Sequence, residues 1–465
     1  MGKSGNLLKL SYSDTLRLYI CIERFYANDI PYSTLYSGDF RGRRRRGRVR
    51  HHLAVESVAV PDFSGDRGVA YVLWRVKRSF SAIFIKKCYQ KGLYYTTFLA
   101  TFLVIFMDMR YLTLDKALDA WRKIQPTSDD DKARLARRFS VDFNYNSNHI
   151  EGNTLTYGQT EILLLFGKVI GEANVRSVQE MVASEVSLKM MEAESRIKES
   201  PLTQNFIRGL HRTLLREDYS VHRTLPDGMQ IGYTVHAGQY KTRPNSVITR
   251  YGDRFEYASP EETPALMTDL VDWYNEAEKE GKLSPIELAA LFHYRYIRIH
   301  PFEDGNGRIA RLLVNYILAK HDIPMIVIRS RKKTEYLEAL HSTDMAVGVT
   351  PSDGAKASIQ SISPFLRYFR NLVAQEVYAD VLFVTKRGEN LWWYDGECIE
   401  FRTPNYGKIL NMMQSEPVLT LADIQRKLGL QPTSVKKLVQ SLIDKHYVEK
   451  GKDEGSWHVF IVPSC

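Results

Sequence analysis

From Leu112 onward, apolar and polar positions alternate with the spacing of helices. Leu114, Leu118 and Trp121 share one helical face, and Pro126 closes that segment. A second helix is expected from about Asp130 to Glu151, stopped by Gly152 and Asn153. Thr156 precedes an apolar helix through Ile162 to Phe166, and helices follow over 175–198 and 203–216. Residues 225–260 break the pattern with Gly228, Gly232, Gly238, Pro244 and Gly252. Within them, 246–249 and 254–257 flank Arg250-Tyr251-Gly252-Asp253, which predicts a β-hairpin. Helices resume at Pro264 to Glu280, Pro285 to Ile299 and Arg308 to Lys320.

The last sixty residues have another rhythm. Asn405 to Gln414 predicts one helix, and Thr420 caps a second over Leu421 to Leu428. Gly429 to Pro432 makes the turn, and Thr433 is expected to cap a third helix over Ser434 to Lys445. Tyr447 to Glu449 and Trp457 to Ile461 then flank a charged loop. That order resembles a winged helix-turn-helix, with Leu421, Ile424, Leu428, Val435, Leu438, Val439 and Leu442 as its core. Residues 376–403 read as a connection, with Trp392, Trp393 and Tyr394 as packing residues.

Composition changes the picture only at the N-terminus. The chain has 465 residues and a net charge of +10, yet residues 1–106 hold 18 Lys and Arg against 7 Asp and Glu. The body is therefore close to neutral. The arginine run Arg41 to Arg50 fits a nucleic-acid-binding arm. The apolar stretch Leu93 to Met107 suggests an anchor, but its 15 residues fall short of the ~20 that span a bilayer. We expect instead that this segment lies outside the native protein, with translation starting at Met107 or Met109. Cys21, Cys88, Cys398 and Cys465 lie far apart with no CxxC pair. That spacing argues against a disulfide scaffold and a cysteine zinc site, and a reducing, cytoplasmic setting is expected, with no membrane partner.

The chemistry concentrates in His300-Pro301-Phe302-Glu303-Asp304-Gly305-Asn306-Gly307-Arg308-Ile309-Ala310-Arg311, between two apolar helices. A glycine-rich turn opening a helix presents backbone N–H groups to an anion, and the helix dipole adds positive potential. Gly305 and Gly307 let the backbone approach a phosphate closely. Arg308 and Arg311, three apart, are expected to face one ligand together. Asp304 suits a Mg²⁺ ion that bridges phosphates, Asn306 suits donation to a phosphate oxygen, and His300 suits proton acceptance from an attacking hydroxyl. Nucleotidyl or phosphoryl transfer is the reaction class these groups suit.

This stretch resembles the signature of the Fic family, H-P-F-x-[D/E]-G-N-G-R-x-x-R, at every fixed position. The resemblance covers roughly residues 110–370. It implies a mainly α fold with a β-hairpin flap, followed here by the small C-terminal winged helix. The activity it implies is transfer of AMP from ATP, with Mg²⁺, to a Ser, Thr or Tyr hydroxyl of a protein target, with auto-AMPylation and de-AMPylation in some relatives. On that carry-over His300 is the general base, Asp304 the metal ligand and Phe302 the core anchor. Gly305, Asn306 and Gly307 shape the anion hole, and Arg308 and Arg311 pair with the β- and γ-phosphates. The related Doc toxins resemble this chain but carry a lysine where Gly307 stands; Gly307 keeps the cradle open, which favours AMP transfer.

Ser147-Asn148-His149-Ile150-Glu151-Gly152 resembles the family's inhibitory pattern, [S/T]-x-x-x-E-[G/N]. Ser147 and Glu151 share a helix face, and the resemblance implies that Glu151 pairs with Arg311 and takes the place of the γ-phosphate. The alternative is a solvent-facing glutamate at a helix end. Tyr336 falls where relatives place an aromatic near adenine, with a core tyrosine as the alternative. The hairpin at about 238–257 resembles the family's target-binding flap, with an ordinary surface hairpin as its alternative. In the C-terminal module, Ser434, Lys436, Lys437 and Gln440 are candidate DNA-contacting residues, with Arg426 and Lys427 as phosphate contacts. Acidic neighbours leave protein contact equally open, and a homodimer is also open. The expected organisation is 1–106 as a basic extension, 107–375 as the Fic domain with its inhibitory helix at about 130–152, 376–403 as a linker and 404–465 as the winged helix. The rival reading is a DNA-binding regulator whose Fic domain is vestigial or uses another nucleotide donor.

Overall fold

The structure, a computed structural model, describes residues 113–224, 230–248, 254–416, 418–451 and 455–459. The basic extension and the turn at 250–253 lie outside the described residues. The chain is mainly α-helical, with four two-stranded antiparallel hairpins among the described residues.

In order, α1 is Leu114–Lys123, α2 Asp129–Ile150, α3 Tyr157–Phe166, α4 Val175–Ser195 and α5 Gln204–Leu215. Ser128 caps α2, with Asp129 to Asp131 in its first turn, where carboxylates meet the positive helix end. Then come β1 Tyr219–Thr224 and β2 Gln230–Val235, paired from Tyr219 opposite Val235 to Thr224 opposite Gln230. The sequence does not predict this hairpin: Pro226-Asp227-Gly228 reads as a break, and the six-residue strand follows a helix with little alternation. The expected hairpin is present as β3 Ser246–Ile248 and β4 Arg254–Glu256.

α6 Thr263–Glu280, α7 Pro285–Ile299 and α8 Asn306–Lys320 come next. A Ser284–Glu287 capping box and Pro285 at the first helical position start α7. α7 and α8 are buried nearly all round, polar residues such as His293, Arg298, Arg311 and Asn315 included, and their apolar residues belong to the main core. Phe292, Ile299, Phe302, Ile309, Leu313 and Ile317 are fully buried there. A short 3₁₀ turn at Ser330–Lys332 leads to α9 Lys333–Val347, α10 Pro351–Ala355 and α11 Ser363–Thr385.

Residues 376–403 differ from the expected connection. Their first part continues α11, and the rest forms the hairpin β5 Leu391–Tyr394 with β6 Glu397–Glu400. The aromatic residues explain this: Trp392 and Tyr394 are buried in a second core. That core also takes Val141 of α2, Tyr157 of α3, and the C-terminal module. Beneath it, buried Arg329 makes ion pairs with Glu376 at 2.5 Å, Asp142 at 2.9 Å and Asp395 at 3.0 Å.

The C-terminal module is α12 Pro404–Ser415, α13 Leu421–Leu428, α14 Pro432–Asp444, β7 Val448–Lys450 and β8 Trp457–Val459. Ile424, Val435, Val439 and Leu442 are buried as expected; Leu421, Leu428 and Leu438 are partly so. Thr420 caps α13 in a box with Asp423. Thr433 does not cap α14: Gln431 holds that position because Pro432, pre-set for the first helical turn, starts the helix earlier. Among the described residues no helix is long and apolar enough to cross a membrane.

Candidate active site

The motif occupies the crossing from α7 to α8. His300 ends α7 in the left-handed region at φ 51°, and Pro301 prevents continuation. Gly305, at φ 76°, is the N-cap of α8 and takes a backbone conformation that costs a side-chain-bearing residue more. Phe302 is fully buried and stacks on His211 with ring centroids 3.7 Å apart. Burying such a ring is worth about 1.5–3 kcal/mol, so the loop is pinned from within.

At the cradle end, Arg311 is buried and turned toward α2. Its Nε donates to Ser147 Oγ at 3.0 Å, and its Nη2 donates to Ser147 O at 2.8 Å and Glu151 Oε1 at 2.6 Å. Glu151 is the residue just past α2, and Lys333 Nζ donates to Ile150 O at 2.6 Å beside it. The carboxylate also closes on Gly307: a Cβ there would fall inside contact distance of Glu151 Oε1 and 3.1 Å from Arg311 Nη1. Gly152 follows at φ 96°, with open space around it. Ser147, Glu151, Gly307 and Arg311 thus meet at one place.

Arg308 points elsewhere. Its Nη2 lies 3.6 Å from Asp304 Oδ2, so the two arginines do not share one partner as the three-residue spacing suggests. Arg311 follows the contact with α2, and Arg308 the loop carboxylate four residues before it. Asp304 accepts from Gly305 N at 2.7 Å through Oδ1 and from the Tyr219 hydroxyl through Oδ2. Burial opposes its ionisation, but Arg308 and the Tyr219 and Gly305 hydrogen bonds hold its carboxyl below the usual range. Burial and the Asp304 charge push the Tyr219 phenol upward.

Asn306 corrects an expectation. Its Oδ1 accepts from Phe302 N at 2.9 Å, while its Nδ2 donates to Phe302 O at 2.7 Å and lies 3.1 Å from His300 Nδ1. With both ends committed and 2% of its surface exposed, its side chain shapes the loop and is not available to a phosphate oxygen.

His300 is held from the other side by the segment before β3. Asn245 Nδ2 lies 2.8 Å from His300 Nδ1, and Tyr257 stacks on the ring at 4.0 Å between centroids. Burial, with Lys241 nearby, pushes the imidazole down to about 3; Asp304 works the other way. Lys241 is itself buried, and its Nζ donates to Asn245 Oδ1, Ile299 O and His300 O. Thr242 donates to Glu303 Oε1, its hydroxyl at 3.0 Å. Tyr336 is buried, with its hydroxyl 3.1 Å from His293 Nε2 and its ring near Phe365 and Tyr368.

Sequence reasoning missed Tyr219, His211, Lys241, Asn245 and Tyr257. All are distant in sequence from the motif: His211 lies in α5, and Tyr219, Lys241, Asn245 and Tyr257 lie in or beside the β1–β2 and β3–β4 hairpins. The one available signal is the polar run Lys241-Thr242-Arg243-Pro244-Asn245 ahead of a strand.

The helix–loop–helix thus pins a histidine at one end and an arginine-lined, glycine-floored cradle at the other, an arrangement suited to an anion beside a proton acceptor. Residues 201–318 match the Fic/DOC family, and residues 407–449 match a family described as winged helix-turn-helix DNA-binding. The protein adenylyltransferase fic-1 of Caenorhabditis elegans is 30% identical over 236 residues, 50% of this chain and 40% of that protein. The protein adenylyltransferase Fic of Nematostella vectensis is 30% identical over 224 residues, 48% of this chain and 44% of that protein. The chain therefore spans less than half the length of these curated relatives. A Fic domain containing signaling protein from Bacteroides thetaiotaomicron, known from its crystal structure, is 48% identical, with a TM-score of 0.54, over 59% of this chain and 99% of that one. This chain belongs to the Fic/DOC family.

Proposed function

We propose that the chain is an autoinhibited protein adenylyltransferase that moves AMP from ATP to a hydroxyl of a protein target. The observation that carries this is the Glu151 carboxylate, seated on Arg311 and against Gly307. An anion already fills the cradle, and it belongs to the chain itself. While it is there, Arg311 is not free for a terminal phosphate, and the triphosphate cannot settle with its α-phosphorus in line with a nucleophile.

With Glu151 displaced, the N–H groups at the start of α8 and the Arg308 and Arg311 guanidiniums would hold the β- and γ-phosphates. The target oxygen then bonds to the α-phosphorus, the bond to the bridging oxygen breaks, and pyrophosphate leaves. His300 takes the hydroxyl proton as general base. Phe302 keeps the loop rigid. Tyr336 backs the cradle from the core through His293, whose imidazole burial and Arg311 push down to about 3. The β3–β4 hairpin, next to the Asn245 segment, is the flap on which the target strand would lie.

Among the described residues no group of three or more His, Cys, Asp or Glu could hold a metal unaided. The donor set does fit Mg²⁺ bound jointly with a nucleotide. Asp304 is one ionised carboxylate, its side chain 41% exposed, beside the cradle, and Mg²⁺ binds through one or two carboxylates plus phosphates. Such an ion would supply charge neutralisation to the leaving pyrophosphate.

The test is α-labelled ATP with Mg²⁺ on wild type, Glu151→Gly and Glu151→Gly with His300→Ala. Label in the first variant, little in wild type and none without His300 supports the reading. No label in Glu151→Gly that still binds ATP sinks it in favour of another donor.

A second partner is supported by the winged-helix match. Ser434, Lys436, Lys437 and Gln440 are exposed on α14, while Lys427 pairs with Glu416 at 2.5 Å and Arg426 pairs with Asp423. DNA contact would thus fall to Lys436 and Lys437. Their replacement should lower the salt slope of a gel shift by about one for each phosphate the module no longer neutralises. A slope unchanged by both replacements assigns the module to protein contact.

A further inference from the structure

The side of His300 that faces away from the cradle is more tightly specified than a general base needs. We propose that Lys241, acting through Asn245, determines which ring nitrogen of His300 carries the proton. In the arrangement seen here the proton sits on Nε2, and Nε2 becomes a base only when the Asn245 amide turns over. This rests on the reading of His300 as the base of AMP transfer, and it makes Lys241 and Asn245 positioning residues for that step.

The lysine assigns the donors and acceptors around the ring. Lys241 Nζ has three acceptors, Asn245 Oδ1 at 2.8 Å, His300 O at 2.9 Å and Ile299 O at 3.1 Å, one for each ammonium proton. The ammonium therefore fixes the Asn245 amide with its oxygen toward the lysine. Its Nδ2 then faces His300 Nδ1 at 2.8 Å and Phe302 O at 3.0 Å. Asn306 also turns its Nδ2 to His300 Nδ1, at 3.1 Å, and cannot reverse because its Oδ1 serves Phe302 N. Two N–H donors converge on one ring nitrogen, so Nδ1 must accept. In a neutral imidazole the proton is then on Nε2. A ring in that form donates at Nε2 and cannot take a hydroxyl proton there.

Only Asn245 can change this. A neutral Lys241 has two N–H groups and one lone pair. It can keep both backbone carbonyls and accept from Asn245 Nδ2. The amide oxygen then faces His300 and accepts from Nδ1–H, leaving Nε2 unprotonated. The turned amide gives up its bond to Phe302 O, which keeps its donor from Asn306, and Asn306 Nδ2 gives up its contact with Nδ1. Protons balance: the ring holds one throughout, moved from Nε2 to Nδ1 by exchange with water, and the proton that leaves is the ammonium's. The surroundings favour such a change. Burial pushes the Lys241 ammonium down to about 7, and Glu262 is the acidic group that opposes this. The charged groups acting on His300 are Lys241 and Asp304, and its stacked neighbour Tyr257 is neutral, its phenol pushed up to about 12 by burial.

The experiment is a two-bond ¹H–¹⁵N correlation on the full chain labelled with ¹⁵N-histidine. The His300 signals are identified by their loss in His300→Ala. Below neutral pH the wild type should show an unprotonated Nδ1 and a protonated Nε2. Asn245→Asp places a carboxylate oxygen opposite Nδ1 whichever way it turns. It should shift the balance toward Nδ1–H by about tenfold or more, the worth of one charge-assisted hydrogen bond. Lys241→Met should release the amide and mix the tautomers; if that variant fails to fold, the near-isosteric Asn245→Asp carries the test. In the Glu151→Gly background, transfer should rise between about pH 6 and about pH 8 while Asn245 is present. Adding Asn245→Ala, which leaves no amide to turn over, should flatten that rise. Nδ1–H in the wild type below neutrality, or an unchanged tautomer in Asn245→Asp, overturns the proposal. If the spectra change as expected while no variant transfers AMP, the tautomer assignment stands and the transfer reading falls. If Glu151→Gly transfers AMP while His300 holds Nδ1–H throughout, the reverse is true.

Discussion

The two ends of the α7–α8 crossing are built on opposite principles. At the cradle end, Arg311 is neutralised by a carboxylate that is 40% exposed and belongs to another helix. That partner is exchangeable: a phosphate offers the same charge and more acceptor oxygens. At the histidine end, no carboxylate among the described residues is hydrogen-bonded to the ring; the Asn306 amide of the loop and the Asn245 amide of the segment before β3 meet Nδ1, and buried Lys241 meets the His300 carbonyl. Nothing there resembles a ligand, so nothing there is displaced when a nucleotide arrives. On the proposed function, inhibition and base chemistry are therefore separable: one would be an ion pair that competes with substrate, and the other a set of hydrogen bonds that substrate does not enter.

The strongest way to break that separation is His300→Ala in the Glu151→Gly background. Loss of a general base should lower AMP transfer by about 10²–10⁴-fold, while ATP affinity measured by calorimetry stays within about twofold. A large loss of affinity would mean that the two ends are one site. Glu151→Gly alone comes next. Freeing Arg311 from one charge-assisted contact should raise transfer by about 10–100-fold, read as initial rate of label incorporation, and leave the His300 tautomer unchanged.

A smaller effect concerns pH. Burial pushes His300 and His293 down to about 3 and His211 down to about 4. Their folded values lie below the ordinary ~6.5 of the unfolded chain. Between those values the unfolded chain binds more protons, so stability is present above about pH 6.5 and is lost as pH falls toward 4. Each histidine contributes about 1.4 kcal/mol per pH unit in that window. His211→Gln should remove one such share from the slope of urea midpoint against pH. An unaltered slope would show that His211 does not stay neutral in the fold. The smallest effect is a control at the far end of α7. Ser284→Ala loses the cap and should cost about 1 kcal/mol in denaturant unfolding, with the His300 tautomer and the rate in Glu151→Gly both unchanged.

Much of this is readable in the chain. The helix bounds of α7 follow from Ser284, Pro285 and Pro301, because caps and prolines act on their own neighbours. The place of Phe302 in the core and the meeting of Glu151 with Arg311 are expected as well, the second from a family resemblance and not from spacing. The β1–β2 hairpin is not legible, since its pairing needs two strands whose alternation is too slight to read singly. Nor is the hairpin within 376–403, where Trp392 and Tyr394 find their core only in α2, α3 and the C-terminal module.

Local signals, then, determined where elements begin and end, which residues share a helix face, and that a glycine-rich loop opens α8. Tertiary structure decided the directions: that Arg311 turns to α2 while Arg308 turns to Asp304, that Asn306 serves the loop, and that Lys241 and Asn245 reach His300 across more than fifty residues of chain. The physical reason is that periodicity and capping are properties of neighbours. The partner of a buried polar group is fixed by whichever donor or acceptor the packed core brings within about 3 Å.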